Sequence, residues 1–203
     1  MKFLTPLLLL ASANLATCYL NATTIVADIA PGSDACAAAN KDCRTAAQAA
    51  PFIAAAMAKY KVYSVQQMAA VIALMAFESG DFAYKHNVSP GRPGQGTANM
   101  QMAAYNLMYA KQLDGVKDAV VDIESTDGMS DDELNDLLAL VTPDEYNFGS
   151  GPWFLMTQCD ASVREALTKD IDTGFAAYME CIGTSLTDDR TAYLDRAKEA
   201  FGL

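Results

Sequence analysis

Glu78, Ser79 and Gly80 close an apolar run, Val71 to Phe77, and form the first place in this chain where side chains of chemical use stand together. Ser64, with Gln67 three residues on, has the pattern of a capping box and predicts a helix from there to Ser79. Val65, Met68, Ile72 and Met75 fall on one face of it, with Glu78 beside them. No basic residue lies within five positions of Glu78 on either side. A carboxyl in apolar surroundings is expected to keep its proton and to serve as a general acid. Gly80 would supply the turn that sets it at the mouth of a cleft.

Two further polar breaks interrupt the helical pattern: Ala98-Asn99-Met100-Gln101, and Glu145-Tyr146-Asn147-Phe148-Gly149. Between the first two lies a loop, residues 80 to 97, rich in glycine and proline and carrying Asp81, Tyr84, His86 and Arg92. A long loop inside a compact domain is commonly functional.

The order of these three patches resembles the lysozyme-like superfamily, specifically goose-type lysozymes and soluble lytic transglycosylases. The resemblance spans about residues 60 to 160. It departs from the family pattern at Ala98, Asn99 and Glu145. It implies a single Glu78 general acid, with Ser79, Tyr146 and Asp81 supporting it. Gln101, Asn99, Met100, Asn147, Tyr84 and His86 would contact substrate. Asp81, then Asp144, would be candidates for a second carboxylate, which an N-acetyl group on the sugar can replace. The implied activity is that of a glycosidase cleaving β-1,4 bonds of peptidoglycan. A chitosanase or chitinase on the same fold, or a non-catalytic secreted glycan-binding effector, are the alternatives. No cofactor and no metal are expected: there is no CxxC, and His86 is the only histidine.

The elements that must position these residues read as an all-α domain of seven to nine helices, with at most a small hairpin after the Glu78 helix. Residues 1–18 read as a signal peptide, 19–44 as an arm ending in a disulfide loop, and 45–203 as the helical domain. Secretion follows from that leader, and four cysteines beyond it suggest two disulfides. Of three connectivities, Cys36–Cys43 with Cys159–Cys181 is favoured. Asn21-Ala22-Thr23 is a glycosylation sequon, and Asn87-Val88-Ser89 a weaker one. A net charge of −11 argues against nucleic acid and anionic membranes as partners, and a monomer is expected. Met102, Met108 and Trp153 read as core.

Overall fold

The computed structural model describes residues 21–203, so the signal peptide expected over residues 1–18, with Cys18, lies outside the described residues. The described chain is all-α. Its helices are α1 (Ala22–Ile29), α2 (Ala46–Lys59), α3 (Val65–Glu78), α4 (Ala103–Ala110), α5 (Asp131–Val141), the single turn α6 (Asp144–Asn147), α7 (Ser150–Thr157), α8 (Ala161–Lys169), α9 (Ile171–Cys181) and α10 (Asp188–Phe201). In place of a hairpin, two isolated bridges tie His86 to Gly96 and Gly96 to Gln101. No helix among the described residues is long and apolar enough to cross a membrane.

Helix α3 is the axis. Residues Ala69 to Ala76 are buried on every side, as expected of a helix apolar all round. Helices α1, α7, α8, α9 and α10 pack about it. Ser64 caps it by accepting from the Gln67 amide. The Gln67 side chain does not close the box; it donates instead to the Arg164 carbonyl on α8. Helix α5 carries a complete box of Ser130 and Glu133.

Two expectations are corrected, the unstructured arm and the packing of two methionines. The segment read as an arm contains α1, whose Ile25, Val26 and Ile29 are buried against the core. Asn21, the sequon residue, is its N-cap and accepts from the Thr23 and Thr24 amides. Met102 and Met108 stand 39% and 44% exposed, so neither is a core filler. Trp153 is buried, and its indole donates to Gln112 at 3.0 Å. The sulfurs join Cys36 to Cys43 and Cys159 to Cys181.

Candidate functional site

The last turn of α3, the 92–102 loop and the loop between α9 and α10 enclose a cleft of about 490 Å³. Glu78, Asn99, Met100 and Gln101 all line it, joined by Arg190 at the start of α10. The lining is therefore mixed, with Met102, Tyr105 and Phe154 adding apolar surface to these polar groups. A second cavity of about 260 Å³, between α1, α2 and α3, has an almost wholly apolar lining and no converging polar groups. The mixed cleft is the better candidate.

Glu78 is not the isolated acid expected. Arg190 Nη2 donates to its Oε1 at 2.9 Å, with the two side chains 15% and 19% exposed. The guanidinium also lies 4.6 Å over the Phe77 ring. A cation 112 residues away in sequence thus occupies the place read as empty of charge. Beneath the pair, Tyr178 is wholly buried and its hydroxyl has no hydrogen-bond partner. Burial, and then the charge of Glu78, push that phenol well above its ordinary range.

The turn after α3 explains where its other polar residues go. Gly80, Asp81 and Phe82 follow one another in the left-handed region, at φ of 59°, 57° and 64°. The buried Ser79 hydroxyl fixes this turn, donating to the Met75 carbonyl at 2.6 Å and accepting from the Phe82 amide at 3.0 Å. Ser79 therefore serves the backbone. Asp81 points away from the cleft, accepting from the Gly32 amide at 2.9 Å. It also faces Tyr193, whose hydroxyl burial and then this carboxylate push up to about 12.

Gln101 is held by the loop before it. Gly96 donates to the Gln101 carbonyl at 3.1 Å, and Thr97 to the Lys85 carbonyl at 2.9 Å. A Cβ at Gly96 would run into that Lys85 carbonyl, so the close approach needs glycine. The Gln101 amide nitrogen donates to Asn106 on α4 at 2.9 Å. Three buried polar atoms on the cleft residues are left without partners: Asn99 Oδ1, Gln101 Oε1 and Arg190 Nε.

The remaining expected site residues lie elsewhere. A side chain at Gly115 would meet the Tyr146 hydroxyl, and Tyr146 is not among the residues lining the cleft. Asn147 is buried at the end of α6, outside the lining. Tyr84 is exposed beside Gly80. His86 is 55% exposed and pairs with Asp42 at 2.7 Å. Asp144, the second carboxylate candidate, takes ion pairs from Arg44 and Lys85 at 2.7 and 2.6 Å. Burial alone would raise its pKa, but the hydrogen bonds from Arg44 and Lys85 outweigh this and hold it below the ordinary range. Arg190, Tyr178 and Asn106 are the site residues that sequence reasoning missed. Only Asn106 left a trace, as a polar residue inside an apolar helix, where asparagine is disfavoured.

No family model matches the chain, and no solved structure matches it. The chain is similar to a bifunctional dioxygenase (DOX)–epoxy alcohol synthase (EAS) of Fusarium oxysporum (strain Fo5176), at 59% identity over 157 residues. That stretch is 77% of this chain but 12% of the relative, so this chain spans a small part of the relative's length. This finding overturns the lysozyme-like resemblance and what it implied: the glycosidase activity, the peptidoglycan, chitosan or chitin substrate and the glycan-binding alternative. The three motifs that carried it are short, and the structure gathers only the first two into one cleft. The relative's name also invites a test of oxygen chemistry, which calls for a redox-active centre. Among the described residues no three His, Cys, Asp or Glu side chains converge to hold a metal ion. His86 is engaged by Asp42, and the four described cysteines are consumed in disulfides. These donors do not fit a metal centre, and no oxygen-activating step is assigned to them.

Proposed function

We propose that this chain is a ligand-binding module whose Glu78–Arg190 cleft takes an oxygenated organic molecule of the epoxy alcohol class. The observation that carries this reading is the trio of unpartnered buried atoms, two acceptors on Asn99 and Gln101 and one donor on Arg190. Buried polar atoms are normally satisfied, so three orphans on residues of one cleft are a place for a partner group. An epoxy alcohol has matching chemistry. Its hydroxyl donates to an amide oxygen, its ring oxygen accepts from Arg190 Nε, and its carbon body lies on Met102, Tyr105 and Phe154. The similarity to the Fusarium enzyme supports the ligand class.

Export is part of the proposal. The apolar run after Lys2 and the two disulfides support passage into an oxidising compartment.

Calorimetric titration with epoxyoctanol, beside octene as its deoxygenated counterpart, tests the reading. Epoxyoctanol should bind at about millimolar or tighter, with octene at least about tenfold weaker. Equal affinity for the two, or none for either, overturns it.

A further inference from the structure

We infer that Asn106 is a positioning residue that turns the Gln101 amide so that the cleft reads a hydrogen-bond donor on its ligand; the inference rests on the ligand class proposed above. Asn106 is fully buried on α4. Its Nδ2 lies 2.8 Å from the Gly94 carbonyl and 3.3 Å from the Gln101 carbonyl. Carbonyl oxygens only accept, so this end of the amide must be the nitrogen. Its oxygen is then the end that faces Gln101, and it accepts from Gln101 Nε2 at 2.9 Å. Gln101 Oε1 is left over, buried and without a partner, on a side chain that lines the cleft and is 4% exposed.

Neither amide can be reversed at low cost. Turning Gln101 alone would set its oxygen against Asn106 Oδ1. Turning both would set Asn106 Oδ1 against the Gly94 carbonyl. Gly94 itself is fixed, with φ of 70°, an amide donating to Asn135 at 3.1 Å, and no room for a Cβ beside Ala103 and Leu134. One main-chain carbonyl therefore dictates, through two side chains, which end of the Gln101 amide is held by Asn106 and which end is left for a donor brought by a ligand. A ligand bringing O–H there is favoured, and one bringing a bare carbonyl oxygen meets repulsion.

The experiment titrates epoxyoctanol and the matched epoxyoctanone, which differ in the donor. Wild type should prefer the alcohol by about tenfold, and both Gln101→Met and Asn106→Leu should bring the two ligands to within about twofold. Loss of structure would weaken both ligands alike, so the ratio separates positioning from stability. A Gln101→Met protein that keeps the tenfold preference overturns the inference. If neither compound binds wild type, the ligand class is wrong, and the positioning is read without ligand from the Gln101 side-chain amide protons by NMR. These should be protected from exchange in wild type and exposed in Asn106→Leu. Unprotected protons in wild type overturn the positioning itself.

Discussion

Replacing Arg190 by Met keeps the stem that lines the cleft and removes only the guanidinium. Three contributions are lost. The bond to Glu78 at 2.9 Å is a hydrogen bond between charged groups, worth about 1.5–3 kcal/mol. The stacking on Phe77 adds about 0.5–1 kcal/mol. Glu78 is also left without a cation, at a position 19% exposed, although water entering the cleft offsets part of that penalty. The sum is about 3 kcal/mol, and for a chain of this size it lowers the melting temperature by about 6–12 °C. Glu78→Gln removes the charge and keeps the shape. Made together, the two changes should cost about 1–2 kcal/mol less than their sum, because they break one shared contact. Urea denaturation of wild type, both single variants and the double variant gives all four values. An Arg190→Met protein melting within about 2 °C of wild type, or strict additivity, would refute the claim that this pair joins α10 to α3.

Gly174 lies in α9 where a Cβ would meet the backbone of Leu167 and Ala166 in α8, so Gly174→Ala should destabilise by about 1–3 kcal/mol or more in the same denaturation assay. Asp144 is held below its ordinary pKa of 3.8, so the stability it contributes is complete above that value and is lost as pH falls through the lower folded one. Asp144→Asn should thus weaken the protein at neutral pH and flatten its acid unfolding profile, followed by circular dichroism. Reducing Cys159–Cys181, which closes a 22-residue separation, should cost about 3 kcal/mol in a chain-entropy account, seen as a lower urea midpoint in the reduced protein.

The all-helical fold was legible because the signals are local. Helix α3 follows from its apolar run, and α5 from the Ser130–Glu133 box. Helix α1 escaped because it has only eight residues and its N-cap is Asn21, whose sequon drew the glycosylation reading. Helix α9 starts at Ile171 because Asp170 caps it by accepting from the Thr173 amide, a local signal of the same kind. Pro51 lies inside α2, which begins at Ala46. Pro51 cannot bond the Ala47 carbonyl, and both residues are exposed.

The cleft was half legible. Glu78 and Gln101 sit at the ends of strong local patterns. Arg190 does not, since nothing between Thr187 and Thr191 distinguishes a helix start from the partner of a distant acid. Tyr146 was chosen by the order of motifs, whereas the phenol near Glu78 belongs to Tyr178, which lies in a segment the motifs did not reach. Order along the chain carries little information on what converges in space.

The ion pair across the cleft joins residues more than half the chain apart, and this gives the molecule a built-in reporter. Whatever lodges between Gln101 and Arg190 becomes an extra strut between the middle and the far end of the polypeptide. A guest present at a hundred times its dissociation constant would add about 2.7 kcal/mol against unfolding. Compound collections can therefore be sorted by heating alone, with no label, no turnover assay and no assumption about the identity of the guest.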